Sequence, residues 1–190
     1  MSDTSNQRRK LSMAELARLS KDLAQKAERY PLYLVLDDVR SMYNVGSIFR
    51  TADAFRVSKI WLCGYTPVPP HREIEKTALG ATETVPWEKA EDIDSLIRNL
   101  KNEKLNIYAV EQTTNSRSLD QMNELLQLPA VFIFGNEVYG IKQSVIDLCD
   151  DVLEIPQFGH KHSFNVAVTA GMVMWEWFKF FKTKYGYMNE

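Results

Sequence analysis

Ala130-Val-Phe-Ile-Phe-Gly-Asn-Glu-Val-Tyr-Gly140 decides how the rest of the chain is read. Five consecutive apolar residues that run into a glycine and a carboxylate have the pattern of a strand buried on both faces and opening into a polar loop. Such strands belong to parallel sheets covered by helices, and these sheets hold their ligands beyond the carboxyl ends of the strands. Gly135 leaves that edge without a side chain, and Glu137 can reach a cationic group there. The plainer reading of Glu137 is an acidic residue favoured at the start of a following helix.

Working outward, the same pattern recurs at Leu32 to Leu36 (LYLVL, before Asp37 and Asp38), Lys59 to Cys63 (KIWLC), Asn106 to Val110 (NIYAV) and Val152 to Ile155. Helical spacing fills the intervals. Asn44 is placed to cap a helix through Phe55 whose core stripe is Val45, Ile48, Phe49, Ala52 and Phe55. Further helices are predicted near Arg72 to Leu79, over Asp92 to Asn102, near Ile141 to Leu148 and from about Asn165 to Phe181. The alternation predicts an α/β fold: a mostly parallel sheet with helices on both faces. Ahead of it, Leu16, Leu19, Leu23 and Ala27 predict a basic amphipathic helix over Met13 to Tyr30, closed by Pro31. The expected organisation is a helical leader over residues 1–30 and a main domain over 31–190.

Composition narrows the function. With 190 residues the chain can bury a core of its own. Cys63 and Cys149 stand far apart with no CxxC pair, which predicts reduced thiols in a cytoplasmic protein. No apolar run spans a bilayer and no signal segment opens the chain, so no membrane partner is expected. The formal net charge is -2, yet the first thirty residues hold seven basic against four acidic side chains. Arg8, Arg9, Lys10, Arg18 and Lys21 in that run read either as phosphate contacts to a nucleic acid or as a solvated helix face.

The signatures of dehydrogenases, P-loop enzymes, α/β-hydrolases and zincins are missing, and His160 and His162 lack a third ligand at metal spacing. A nicotinamide oxidoreductase would need the glycine fingerprint after the first strand, where Asp37-Asp38-Val39-Arg40 stands. Two further segments place polar groups near strand ends. In NVGSIFRTADAF (Asn44 to Phe55), Gly46 and Arg50 fall on the polar side, open to a ligand, or else Arg50 pairs with Asp53. In Ile155 to Val166 (IPQFGHKHSFNV), Ser163 and Asn165 are candidate site residues or simply helix caps. The last helix is apolar on two sides, with Val168, Met172, Trp175 and Phe178 opposite the core face. It predicts either a homodimer interface or cover by the leader.

Together the segments NVGSIFRTADAF, FGNEVYG and IPQFGHKHSFNV resemble, in order, the three motifs of the SpoU (TrmH-type) family of RNA ribose 2′-O-methyltransferases in the SPOUT superfamily. The likeness covers about Leu32 to Phe181. It departs at Gln157, Phe164 and Ala167, where Met, Leu and Ser are common. The resemblance implies a C-terminal trefoil knot, a homodimer, and S-adenosylmethionine bound against Glu111, Thr113, Gly135, Ile155 and Phe164. It also implies that Arg50 acts on the ribose, with Asn44, Glu137, Ser163 and Asn165 arranged around it. The compact form and short leader favour tRNA, and within it a D-loop guanosine. An rRNA site, a wobble ribose and a non-catalytic RNA-binding module on the same fold are the alternatives.

Overall fold

The computed structural model describes residues 8–12, 15–16, 19–160 and 163–187. Its strands are β1 (Tyr30–Asp37), β2 (Val57–Cys63), β3 (Trp87–Ala90), β4 (Asn106–Val110), β5 (Arg117–Ser118), β6 (Ala130–Phe134) and β7 (Asp151–Glu154). They form one sheet in the order β3-β2-β1-β6-β4-β7-β5, with every pairing parallel. The helices are α1 (Lys21–Lys26), α2 (Met42–Ala54), α3 (Arg72–Ala78), α4 (Ile93–Asn102), α5 (Met122–Leu125), α6 (Gln143–Ile146) and α7 (Val166–Tyr185).

Alternation within the apolar runs explains why both faces are covered. Leu32, Leu34 and Leu36 of β1 join Phe132 and Phe134 of β6 in a core closed by α2, α3 and α7. Val35, Val131, Ile133, Ile107 and Ala109 point the other way, against Ile93, Ile97 and Leu100 of α4 and Val145 of α6. This is the doubly covered parallel sheet that the uninterrupted runs predict. β3 (WEKA) has no such run: among the described residues it is an edge strand paired only with β2, and it carries a polar face.

Three sequence expectations need correction. Ser41, not Asn44, caps α2 by accepting the Asn44 amide, which frees the Asn44 side chain for other partners. Gly46 is not open to a ligand. It is buried, and a Cβ there would collide with the Ile74 carbonyl and the Thr77 hydroxyl, so its role is to let α3 lie close against α2. Among the described residues the leader is helical only over Lys21–Lys26. Leu16, Leu19 and Leu23 are exposed there, and a short helix with no apolar face to bury has little to sustain it. Met13, Ala14, Ala17 and Arg18 lie outside the described residues.

Asp37, the last residue of β1, is only 4% exposed. Burial, reinforced by the neighbouring Asp38 carboxylate and only partly offset by Lys142, pushes its carboxyl up to about 6. A raised value in the folded state means that its contribution to stability is full below the ordinary value of 3.8 and is lost as pH rises through 6. Asp37→Asn is therefore expected to gain on the parent between pH 4 and pH 8 by on the order of 3 kcal/mol. Denaturant melts at the two pH values check this; a gap that does not widen with pH contradicts it.

Candidate active site

The loops that leave β4, β6 and β7 converge on an open cleft of about 1260 Å³ at the carboxyl edge of the sheet. Its walls bring together all five residues that the family resemblance implies for the cofactor, Glu111, Thr113, Gly135, Ile155 and Phe164, and also include Glu137 and Ser163. Gly135 is required by close approach: a Cβ would come within 2.5 Å of the Gly140 carbonyl carbon and 2.7 Å of Ile141 Cγ1. The Glu111 carboxylate serves the scaffold, accepting the amides of Gln112 at 2.8 Å and Ile141 at 3.0 Å and so tying the β4 loop to the β6 loop. Thr113 sits in a turn in which the Ser116 hydroxyl donates to the Thr113 carbonyl at 2.9 Å. Phe164 is exposed, and Ile155 is half-buried against the core.

Beside this cleft, the three motif segments are joined by side chains. Asn44 Nδ2 donates to Glu137 Oε1 at 3.0 Å, and Asn165 Nδ2 donates to Asn44 Oδ1 at 2.9 Å. Asn165 Oδ1 in turn accepts the Ala167 and Val168 amides at 2.8 and 3.3 Å as the cap of α7. The capping role foreseen for Asn165 and its place in the site are thus both present. Glu137 also accepts the amides of Arg40 at 3.2 Å and Ser41 at 3.3 Å. Burial opposes its ionisation, but the hydrogen bonds from its own amide, Asn44, Arg40 and Ser41 outweigh that and hold the carboxyl below the ordinary value. Its loop is braced by Asn136, whose Nδ2 donates to the Asp38 carbonyl at 2.8 Å and whose Oδ1 accepts the Val138 and Tyr139 amides.

Sequence reasoning missed Arg40, Ser41 and Asn136 in this arrangement. The signal for Ser41 was available, since it stands three residues ahead of Asn44 at capping distance.

Ser163 lines the cleft, and among the described residues its hydroxyl has no hydrogen-bond partner. Arg50 lies six residues beyond Asn44, roughly 9 Å along α2. It is exposed and outside the cleft wall. Asp53 does not hold it: the Asp53 carboxylate accepts the Thr84 hydroxyl at 2.6 Å, and among the described residues Arg50 makes no ion pair.

The leader lies elsewhere. Arg29 donates to the carbonyls of Val57 at 3.1 Å and Thr84 at 2.5 Å, Gln25 donates to the Glu83 carbonyl at 2.8 Å, and Lys21 pairs with Glu83. Val57 begins β2, so these ties fix α1 at the amino-terminal edge of the sheet, opposite the cleft. Arg9 pairs with Glu15 at 2.5 Å, while Arg8 and Lys10 are exposed. Among the described residues the leader's hydrogen bonds do not reach the outer face of α7, where Val168 and Trp175 are 49% and 52% exposed. Among the described residues no helix is long and apolar enough to cross a membrane.

Comparison with known proteins follows the same segments. The model of the SpoU rRNA Methylase family matches residues 31–175. The 23S rRNA (guanosine-2'-O-)-methyltransferase RlmB of Neisseria meningitidis serogroup B is 32% identical over 155 residues, 82% of this chain and 61% of that protein. The AdoMet-bound rRNA methyltransferase of Sinorhizobium meliloti superposes with a TM-score of 0.72 at 28% identity, covering 84% of this chain and 60% of that one. The A. aeolicus TrmH/SpoU tRNA modifying enzyme shares the fold, with a TM-score of 0.75 at 23% identity over 86% of this chain and 81% of that one. The chain spans 61% to 66% of the length of the first curated relatives it matches. Matched by that model from β1 into α7, the chain belongs to the SpoU methylase family.

Proposed function

We propose that the chain is an S-adenosylmethionine-dependent RNA ribose 2′-O-methyltransferase that works as a homodimer. The observation that carries this reading is the bonded line Glu137–Asn44–Asn165, which joins all three motif segments beside a cleft with room for a nucleoside. The cleft fits the cofactor: it is floored by the glycine that no Cβ can replace and is walled by Thr113, Ile155 and Phe164. Bound there, S-adenosylmethionine would supply an electrophilic methyl on sulfur, the methyl C–S bond breaking to release S-adenosylhomocysteine.

The chain's own residues then position the acceptor. A ribose 2′-hydroxyl must lose its proton as its oxygen bonds to carbon, and a guanidinium, always protonated, is a poor base for that proton. Arg50 instead holds the adjacent phosphate and stabilises the developing alkoxide, and the proton leaves to phosphate or water. Asn44 and Asn165 fix the approach of the ribose, the Ser163 hydroxyl in the cleft wall is available to it, and Glu137 sets the negative end of the pocket. Alignment of this kind supplies much of the acceleration in a displacement between two bound reactants.

Arg50 stands outside the cleft wall on α2, which packs against α7, so one chain leaves the reacting centre open. Pairing of two copies through the apolar face around Val168 and Trp175 answers that gap. The trefoil knot belongs to the same reading: the chain leaves β7 on one half of the sheet and returns as α7 over α2 on the other. The leader over 1–30 and the methyltransferase domain over 31–190 remain our division, with Arg8, Arg9 and Lys10 as phosphate contacts that steepen the salt dependence of RNA binding. For substrate we favour tRNA, and a D-loop guanosine within it.

Sedimentation and titration calorimetry with S-adenosylmethionine are expected to give a dimer that binds it. Radiolabelled methyl transfer to tRNA and rRNA transcripts is expected to label tRNA, with the product identified by nucleoside mass spectrometry. No cofactor binding overturns the activity, a methylating monomer overturns the dimer, and transfer confined to rRNA overturns the substrate.

A further inference from the structure

Tyr65 is 79% exposed on the short loop that follows β2, yet that loop is held fast. The Tyr65 amide donates to Asp38 Oδ1 at 2.8 Å, the Thr66 amide donates to the Cys63 carbonyl at 3.1 Å, and the buried Thr66 hydroxyl donates to the Leu36 carbonyl at 2.8 Å while accepting the Val39 amide at 3.1 Å. Lys89 Nζ donates to the Gly64 carbonyl. Gly64 itself turns with φ +57°, and a Cβ there would collide with the Asp38 carboxylate. A large ring is thus held out into solvent by a rigid frame. Rigid loops at strand ends are where binding groups collect.

Its neighbour indicates what covers it. The Arg40 guanidinium lies 5.8 Å from the Tyr65 ring centroid, and the Arg40 amide is one of those that bond Glu137. The ring and its cation are therefore one residue removed from the bonded line of the active site, at the same edge of the sheet. An aromatic face with an arginine plane beside it is how proteins hold a splayed, unpaired base.

We propose that Tyr65 and Arg40 form a stacking platform for an unpaired base of the substrate RNA next to the ribose that is methylated. The proposal rests on the methyltransferase reading for the word substrate, but its geometry is independent of cofactor chemistry. It makes Tyr65 and Arg40 positioning residues, which act on the ribose through the base they hold. The open face of Tyr65 takes the base, and Arg40 steadies the ring while offering its charge to the flanking phosphate.

A short single-stranded RNA carrying 2-aminopurine is the probe. Binding to the whole protein is expected to quench its fluorescence. Tyr65→Ala should lose the quench and about tenfold or more in affinity, Tyr65→Phe should keep both, and Arg40→Ala should weaken binding part of the way. The same sequence presented as a duplex should bind with no dependence on Tyr65. An unchanged melting temperature in Tyr65→Ala is expected from the exposure of the ring and excludes a folding defect. Parental affinity and quenching in Tyr65→Ala overturn the platform, as does a Tyr65→Phe as weak as the alanine variant; a ring that serves a protein partner would give the first of these. Methyl transfer measured on the same proteins separates the two readings. Absent transfer with a Tyr65-dependent quench removes the enzymatic reading alone, and intact transfer with binding indifferent to Tyr65 removes the platform alone.

Discussion

Arg50→Ala is expected to remove methyl transfer almost completely, by roughly 100- to 1000-fold in kcat, while the melting temperature and cofactor affinity stay at the parental values. The separation follows from where the residue sits. Its side chain is exposed, makes no ion pair among the described residues and stands outside the wall of the cleft, so neither the core nor the cofactor pocket depends on it. Arg50→Lys is expected to recover only a minor part, because a point charge on a flexible stem does not reproduce the planar two-pronged donor that a phosphate and an alkoxide share. Single-turnover transfer at saturating cofactor, with calorimetry on the same preparations, checks this. A lysine variant with full activity would remove the geometric argument, and a loss of cofactor affinity in the alanine variant would place Arg50 in the wrong half of the site.

Asn44→Ala is expected to lower activity and stability together, because it breaks two bonds at once and leaves Glu137 and Asn165 each short of a partner. Both groups are exposed and water replaces part of what they lose, so the cost to stability is about 0.5–1.5 kcal/mol, which a melt would register. Asn165→Ala added to Asn44→Ala should cost less than the sum of the two, since both changes cut the same line. The isosteric Asn44→Asp is the sharper variant. It sets a second carboxylate against Glu137, so it should be most damaging at pH 8 and relieved as one of the pair takes up a proton toward pH 5. In the parent the dependence runs the other way. Glu137 has a lowered value, so its contribution is full above the ordinary carboxylate value of 4.5 and is lost only as pH falls through the lowered one. An Asn44→Asp protein with the parental pH profile would show that the two side chains do not communicate.

What the sequence disclosed of the fold was whatever burial writes into consecutive residues. LYLVL, KIWLC, NIYAV and AVFIF are legible because both of their faces are covered; WEKA at the sheet edge and the two-residue β5 carry no such record and passed unread. The leader misleads for the converse reason, since Leu16, Leu19 and Leu23 have helical spacing but stand exposed. In the site, residue identities were legible and partnerships were not. Asn44 and Asn165 are 121 positions apart, and only the return of α7 over α2 brings them within 2.9 Å. Local spacing suggested an Asn44 cap and a ligand-facing Gly46, and tertiary contacts gave the cap to Ser41 and Gly46 to α3. Tyr65 left a faint signal, an aromatic in a Gly- and Pro-bounded loop directly after a buried strand, whose meaning depends on Arg40 arriving from another loop.

The line through Asn165 and Asn44 also has a polarity. Every bond in it points the same way: the first amides of α7 donate to Asn165, Asn165 donates to Asn44, and Asn44 donates to Glu137. The positive end of a 20-residue helix is thereby relayed through two carboxamides to the Glu137 carboxylate. Bonds aligned head to tail polarise one another, so the relay is stronger than its members taken singly. Glu137 therefore reports on the seating of α7: a strain or a contact that unseats the first turn of that helix would be felt at the carboxylate as a greater appetite for protons.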